Sequence, residues 1–348
     1  MYMYSPTHRS PILMRTFLVT LTITLFISIA HAQSDQQLVA RYDKAVAAQN
    51  YTLALKSAQE ITTRYPESAN WNFNLGSMLA RTDDPDGAIE ALKTAADLGY
   101  TGTRSFEQSE DLNPLREDDR FKAILRQVQR NAQARLDNYI AEAQNHTPKA
   151  HIPKTTPDSP ALILALHGTG MTGTDMINAL TKTADQLNMI LIAPDALRPA
   201  GDGFSWTYRD ESEWMVNHTI TQAIEQHDID PNQIYLVGFS QGANIALIMG
   251  QTHPDLFAGI IPICGHYEPQ NASAEDSATL PPFYLITGAR DPWKKTYTHA
   301  KRDLTKSKTP VQVRMLAGKG HEIPAGPAGV KELVRAITWC QNNSTPDE

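Results

Sequence analysis

Three residues in the second half of the chain have the side chains that nucleophilic acyl transfer requires. Ser240 lies in Gly-Phe-Ser-Gln-Gly at 238–242, Asp291 precedes a proline at 292, and His321 follows a glycine. An unassisted serine hydroxyl is a poor nucleophile, so it needs a base and a turn that exposes it. A loose G-x-S-x-G pattern also arises by chance, and taken alone it fits an ordinary turn serine equally well. The elements around the three residues therefore decide the interpretation.

An apolar run typical of a buried strand ends shortly before each of Ser240, Asp291 and His321. The predicted strands are residues 161–166, 189–193, 234–237, 259–263, 283–288 and 311–316. Helical patterns alternate with them at 175–187, 213–227, 243–252 and 329–342. This alternation predicts an α/β fold with a mostly parallel sheet. Because ligands bind beyond the carboxyl ends of parallel strands, we expect the three residues at one edge of that sheet.

Four motifs in this half, in chain order, resemble those of α/β-hydrolases of the phospholipase/carboxylesterase and dienelactone-hydrolase type. They are Leu166-His167-Gly168-x-Gly170, Gly238-Phe239-Ser240-Gln241-Gly242, Gly288-x-x-Asp291-Pro292 and Gly320-His321-Glu322-Ile323-Pro324. The likeness covers about Asn145 to the C-terminus and extends to secreted polyhydroxybutyrate-depolymerase-like and feruloyl esterases. It implies the α/β-hydrolase fold. The short, proline-rich segment before residue 161 departs from the pattern, so the first antiparallel strands are expected to be trimmed or absent.

The resemblance also implies a role for each motif residue. Ser240 would be the nucleophile, His321 the general base, and Asp291 the carboxylate that fixes the tautomer of the imidazole. The backbone N–H groups of Gln241 and Thr169 would form the oxyanion hole. The alternative for Asp291 is a turn-forming Asp-Pro pair.

Other aromatic and histidine residues near the predicted strand ends are weaker candidates. Trp206 and Tyr208, after the 189–193 strand, and His266, after the 259–263 strand, are candidates for substrate binding, with packing in the core as the alternative for the two aromatics. His167 is expected to shape the turn that carries Thr169 rather than to act as a base.

Composition limits the other classes of partner. The chain has 348 residues and a formal net charge of −7, and its basic residues are scattered, so nucleic acid is not expected as a partner. No Cys/His group has metal-ligand spacing, and neither a metal nor another cofactor is expected. The two cysteines, Cys264 and Cys340, can be paired or free.

The first residues are typical of a secretory signal peptide, predicted at 1–32. Arg9 and Arg15 precede an uncharged stretch at 16–30, and Ala30-His31-Ala32 forms a small-x-small cleavage site. The alternative is a membrane anchor. The uncharged stretch is too short for one, because a membrane span needs about 20 apolar residues. We therefore expect a periplasmic or secreted protein with no stable membrane span after cleavage.

Residues 33–144 have a helical pattern throughout, and a shift of 34 residues brings Ala54 onto Ala88. The segment resembles degenerate tetratricopeptide repeats, and the matching positions are Pro66, Leu75, Gly76, Ala88 and Ala95. The resemblance implies an all-α domain of helical hairpins. Such an array either binds a protein or peptide partner or serves as a structural accessory.

The predicted organisation is thus a signal peptide, a tetratricopeptide-like domain, a linker or edge strand at 145–160, and a catalytic domain at 161–348. We expect a periplasmic or secreted serine esterase that hydrolyses carboxylic esters, or thioesters, through an acyl-enzyme on Ser240. The alternatives are a serine peptidase of the same fold and a repeat-based scaffold with an inert hydrolase domain. Acyl and alcohol specificity and oligomeric state stay open.

Overall fold

The computed structural model describes residues 35–269 and 280–344, and the predicted signal peptide lies outside them. The chain divides into two compact units, one up to Arg135 and the other from Leu136 onward. Within the described residues, no helix has the length and apolar character needed to cross a membrane. Cys264 and Cys340 are both buried free thiols.

The first unit is helical. Helix α1 covers residues 35–47, and it is followed by α2 (Tyr51–Arg64), α3 (Ala69–Arg81), α4 (Pro85–Asp97), α5 (Thr103–Gln108), a 3-10 helix (Glu110–Leu115) and α6 (Asp119–Ala143). The division between the units falls within α6. The sequence prediction placed the boundary at residue 144, directly after the end of this helix.

Polar caps and small residues explain the helical hairpins. Asn50, Ser68 and Asp84 each accept a hydrogen bond from a backbone N–H in the first turn of the helix that they precede. A Cβ at Gly76 of α3 would lie 2.6 Å from Cγ of Leu92 in α4, so the glycine permits the close approach of these helices. The helical domain is therefore present, and its tetratricopeptide character stays a prediction.

The second unit is built on a seven-stranded sheet, counted over the described residues, with the order β1-β3-β2-β6-β7-β8-β9. Its strands are β1 (Lys149–His151), β2 (Leu162–Leu166), β3 (Ile190–Ala193), β6 (Ile234–Phe239), β7 (Gly259–Ile263), β8 (Phe283–Gly288) and β9 (Val311–Leu316). Only the pairing of β1 with β3 is antiparallel among these strands. The predicted mostly parallel sheet is confirmed, with β1 as a short antiparallel edge strand.

Helices cover both faces of the sheet. They are α7 (Gly173–Leu187), α8 (Arg209–His227), α9 (Gln241–Thr252), α10 (Thr296–Lys306) and α11 (Gly326–Gln341), and a short 3-10 helix (Pro254–Leu256) follows α9. Successive strand residues alternate between the faces: Leu164 packs in the cluster that includes α8, α9 and α10, whereas Ile163 packs with α7 and α11. The central strands are buried on both sides, which explains their continuous apolar runs.

A small antiparallel hairpin braces the turn after β2. Strands β4 (Arg198–Ala200) and β5 (Gly203–Ser205) pair with each other. Gly170 donates its N–H to the carbonyl of Phe204, and Phe204 donates to the carbonyl of Met171. These two backbone hydrogen bonds connect the turn that contains Thr169 to the hairpin. Sequence patterning did not predict this hairpin or helix α10.

Candidate active site

Ser240 occupies a strained turn between β6 and α9. Its backbone has φ 53° and ψ −115°, a combination that is unfavourable for a residue with a side chain. A Cβ at Gly238 would lie 2.2 Å from the carbonyl oxygen of Gly242, and one at Gly242 would lie 2.3 Å from that of Leu166. Both glycines are therefore required by close backbone approach. The turn presents the hydroxyl beyond the carboxyl end of the sheet.

Asp291 and His321 lie on the loops after β8 and β9. A Cβ at Gly288 would lie 2.2 Å from the carbonyl oxygen of Gly320, so this glycine allows the two loops to touch. Arg290 donates its N–H to the carbonyl of Lys319, which fixes the loops to each other. Asp291 is 1% exposed, and its Oδ1 accepts the N–H of Trp293 at 2.7 Å.

These loops bring the three predicted residues into one hydrogen-bonded series. Nδ1 of His321 lies 2.8 Å from Oδ2 of Asp291, and Nε2 of His321 lies 2.9 Å from Oγ of Ser240. A carboxylate next to Nδ1 favours the tautomer that carries its proton there, because the carboxylate can only accept. Nε2 is then an acceptor that faces the serine hydroxyl. This arrangement can remove a proton from Ser240 during nucleophilic attack.

His167 supports the turn that carries Thr169. Its ring is buried, its Nδ1 lies 2.8 Å from the carbonyl oxygen of Gly168, and its Nε2 lies 3.1 Å from the N–H of Ala196. A carbonyl accepts and an N–H donates, so the neutral ring with its proton on Nδ1 satisfies both neighbours. Burial lowers the pKa of His167, which agrees with a neutral imidazole.

Gln241 links the serine turn to its surroundings through its side chain. Its Oε1 accepts hydrogen bonds from Oγ1 of Thr169 at 3.0 Å, Oγ of Ser205 at 3.0 Å and the N–H of Trp206 at 2.9 Å. Its Nε2 donates to the carbonyl of Trp206 at 3.3 Å. As the first residue of α9, Gln241 also has a backbone N–H without an intrahelical acceptor. The two predicted oxyanion residues, Gln241 and Thr169, are thus joined directly.

A cavity of about 200 Å³ adjoins the serine turn. It is lined by apolar side chains from α9 and by polar groups from α8 and the segment after β7. Its lining residues are Trp206, Thr207, Arg209, Gln241, Asn244, Ile245, Ile248, His266 and Glu268. The cavity therefore has both apolar and polar lining residues, and it lies beside the helix that begins next to Ser240.

The three weaker candidates occupy different positions. His266 lines the cavity, and its ring packs edge-on against Trp293 with 5.2 Å between centroids. Trp206 also lines the cavity, but it is only 4% exposed and its Nε1 donates to the carbonyl of His167, so it packs in the core as well. Tyr208 precedes α8, and Cζ of Arg198 lies 5.8 Å from the centroid of its ring.

Cys264 lies next to the hydrogen-bonded residues Asp291 and His321. The sequence did not predict this position. Cys264 follows β7 directly, and its Sγ, a carboxylate oxygen of Asp291 and a ring nitrogen of His321 all lie within 4.8 Å of one another. Burial, with a contribution from Asp291, raises the pKa of its thiol to about 11. The three residues follow three different strands, so no local Cys/His spacing could have indicated the cluster.

Known proteins resemble parts of this chain. Residues 209–329 match the Phospholipase/Carboxylesterase family. A poly(3-hydroxybutyrate) depolymerase from Ralstonia pickettii is 32% identical over 126 residues, which are 30% of this chain and 25% of the depolymerase. Feruloyl esterase B from Talaromyces stipitatus is 28% identical over 116 residues, 31% of this chain and 32% of the esterase. The chain thus spans between a quarter and a third of the length of these two relatives.

A solved structure also aligns with part of this chain. The crystal structure of esterase PE8 aligns with a TM-score of 0.48 at 23% identity, over 57% of this chain and 99% of that chain. The strand order, the serine turn and the family match all fall in the unit from Leu136 onward. That unit has the α/β-hydrolase fold, and its residues 209–329 match the Phospholipase/Carboxylesterase family.

Proposed function

We propose that this chain is a serine esterase that hydrolyses carboxylic esters through an acyl-enzyme on Ser240. The observation that carries the proposal is the hydrogen-bonded series from Asp291 through His321 to Ser240, with separations of 2.8 and 2.9 Å. The strained turn adds to it, because a strained backbone at a half-buried serine has no evident structural use.

In the first half of the reaction, Oγ of Ser240 attacks the ester carbonyl carbon while Nε2 of His321 accepts the hydroxyl proton. Asp291 stabilises the imidazolium and keeps the Nδ1 proton in place. The carbonyl oxygen gains negative charge, which the N–H groups of Gln241 and Thr169 stabilise. When the tetrahedral intermediate collapses, His321 returns the proton to the departing alkoxide and the acyl group stays on Ser240.

In the second half, His321 accepts a proton from a water molecule whose oxygen attacks the acyl carbon. The same N–H groups stabilise the second oxyanion, and the proton then returns to Oγ of Ser240 as the carboxylic acid leaves. Thioesters fit the same scheme, because a thiolate is an easier leaving group than an alkoxide. The proposal therefore includes thioesters as substrates.

The cavity favours a small acyl or alcohol group. Its volume of about 200 Å³ lies below the roughly 300 to 1,000 Å³ that ligand pockets commonly have. Ile245 and Ile248 offer apolar contact, and Arg209, His266 and Glu268 add polar side chains to the lining. We expect p-nitrophenyl acetate and butyrate to be hydrolysed with a higher kcat/KM than p-nitrophenyl palmitate.

A fluorophosphonate probe tests the proposal, because it labels only an activated serine. The wild-type protein is expected to be labelled at Ser240, and Ser240→Ala and His321→Ala are expected to lose both labelling and ester turnover while keeping the wild-type circular dichroism spectrum. His299→Ala, which changes an exposed histidine on α10, is the matched control. A folded wild-type protein that takes up no label would leave the inert scaffold as the better description. Faster cleavage of a peptide p-nitroanilide than of the matching ester would favour the peptidase.

The remaining elements of the proposal concern the whole chain. We propose a signal peptide at 1–32, a helical domain at 33–144 that either binds a protein or peptide partner or serves as a structural accessory, a linker or edge strand at 145–160 and a catalytic domain at 161–348. Expression in a Gram-negative host followed by N-terminal sequencing checks export. Mature protein that begins at Gln33 in the periplasm or medium supports it, and full-length protein retained in the cytoplasm contradicts it.

A further inference from the structure

The thiol of Cys264 lies beneath the loop that carries His321. Its backbone has φ 56°, in the left-handed region, and the residue is 2% exposed. Sγ lies 3.7 Å from the carbonyl oxygen of Gly320 and 3.8 Å from that of Glu322, the two residues that flank His321. The esterase mechanism assigns no step to this thiol. A buried nucleophilic group next to Asp291 and His321 therefore calls for an explanation.

The spacing of the three side chains suits a shared cation. The thiol, the Asp291 carboxylate and the His321 ring lie within 4.8 Å of one another. Tetrahedral coordination at bond lengths of about 2.0 to 2.3 Å places such donors roughly 3.3 to 3.6 Å apart. Nδ1 of His321 and Oδ2 of Asp291, which lie 2.8 Å apart, would have to separate by about 0.5 Å, and no pair of the three donors would have to approach by more than about 1.5 Å. A Cβ at Gly318 or Gly320 would meet nothing within 4 Å, so the loop has room to adjust.

The donor types select the class of cation. A thiolate, an imidazole and a carboxylate form the set that borderline-soft divalent ions such as Zn²⁺ prefer, whereas Mg²⁺ prefers oxygen ligands alone. The charges also balance. A divalent ion neutralises the thiolate and the carboxylate together, which matters because Cys264 and Asp291 are only 2% and 1% exposed. The His321 side chain, at 33% exposure, gives the ion a route from solvent.

We propose that Cys264, Asp291 and His321 form a binding site for a borderline-soft divalent cation, and that the bound ion switches the esterase off. Sγ binds the metal and releases its proton to solvent. Nδ1 of His321 binds the metal with its lone pair, so the ring proton moves to Nε2 and the ring stays neutral. Nε2 then donates to Ser240 and can no longer accept its proton. The inhibition rests on the proposed esterase function, but the metal binding does not.

Co²⁺ and Zn²⁺ test the site on the full-length protein. One equivalent of Co²⁺ is expected to give a thiolate-to-cobalt charge-transfer band in the wild-type protein. Zn²⁺ at saturation is expected to lower the rate of p-nitrophenyl acetate hydrolysis by at least about 100-fold, the contribution of a general base, with full recovery after EDTA. Mg²⁺ at the same concentration is expected to leave the rate unchanged.

Cys264→Ala and Cys264→Ser separate this site from other metal effects, and Cys340→Ala is the matched control because it removes the other buried thiol. Each variant is compared with its own metal-free rate. Both Cys264 variants are expected to lose the cobalt band and to need at least about tenfold more Zn²⁺ for half inhibition, while Cys340→Ala behaves as wild type.

Two results would overturn the proposal. They are a wild-type protein without the cobalt band, and equal Zn²⁺ inhibition of the wild type and the folded Cys264 variants. The cobalt band does not depend on turnover. A wild-type protein that binds Co²⁺ through Cys264 but hydrolyses no ester would therefore refute the esterase function and leave the metal site supported.

Discussion

Replacing Gln241 changes the support of the proposed oxyanion hole without touching its backbone donors. The side-chain amide accepts three hydrogen bonds, from Thr169, Ser205 and Trp206, and donates one. Gln241→Ala removes all four, whereas the backbone N–H of residue 241 stays. Any loss of activity must then arise from displacement of the Thr169 turn or of the 205–206 segment.

The expected magnitudes follow from the exposure of the partners. The hydroxyls of Thr169 and Ser205 can turn to water, because Thr169 is exposed and Ser205 is half-buried. Trp206 is buried, and its N–H would lose its acceptor, so Gln241→Ala is expected to lower the free energy of unfolding by about 1–3 kcal/mol. Displacement of the Thr169 N–H removes one oxyanion donor, which lowers kcat by about 10²- to 10³-fold.

Gln241→Glu separates the two effects. A carboxylate keeps the three accepted hydrogen bonds, but it places negative charge beside the developing oxyanion. We expect kcat to fall while the urea midpoint stays closer to that of the wild type than in Gln241→Ala. Gln251→Ala, at the last turn of the same helix and away from the Thr169 turn, is the control and loses a hydrogen bond to the Leu247 carbonyl.

The measurements are urea unfolding by circular dichroism and steady-state hydrolysis of p-nitrophenyl acetate. A change confined to KM would mean that the amide serves substrate binding and not the transition state. Wild-type kcat in Gln241→Ala, with the expected loss of stability, would refute the link between this amide and the oxyanion hole.

Further predictions concern Asp291 and residues near Ser240 and His321. Asp291→Asn is expected to lower kcat by on the order of 10⁴-fold with little change in KM, because an amide N–H facing Nδ1 favours the wrong tautomer; a pH-rate profile and KM check this. Because the pKa of His167 is lowered in the folded protein, His167 of the unfolded chain is protonated at a higher pH than His167 of the folded protein. Stability should therefore decline as the pH drops below about 6.5, and the slope in urea unfolding should be smaller in His167→Asn. Gly242→Ala would place a Cβ 2.3 Å from the carbonyl oxygen of Leu166, so we expect a loss of about 1–3 kcal/mol and of fluorophosphonate labelling; wild-type values for both would contradict the requirement for glycine.

The strands and the serine turn could be predicted because their signals are local. The apolar runs in the sequence predicted β7, β8 and β9 with the same first and last residues as in the structure. Ser240, Asp291 and His321 each follow such a run, and the rule that parallel strands share one carboxyl edge placed them together. Helix α10 was missed because its apolar residues, Tyr297, Ala300 and Leu304, are few among charged neighbours.

Features that depend on contacts between distant segments could not be predicted. The hairpin of β4 and β5 has only three residues in each strand, and its pairing with the Thr169 turn joins residues more than thirty positions apart. Nothing in the sequence indicates that the side chain of Gln241 accepts hydrogen bonds from three partners. The sequence could not place Cys264 in the site, because its neighbours Asp291 and His321 come from two other strand ends.

The strained turn at Ser240 explains why so many of these contacts surround it. A non-glycine residue at φ 53° and ψ −115° is disfavoured by on the order of 1–3 kcal/mol. Several hydrogen bonds hold it there: its N–H donates to the carbonyl of Ile263, and its own carbonyl accepts from Ala243 and Asn244. Relaxation of φ would break these bonds together and move Oγ away from Nε2 of His321. The packing of β6, β7 and α9 therefore maintains the geometry that acyl transfer requires, and a change that loosens this packing should reduce activity before it unfolds the domain.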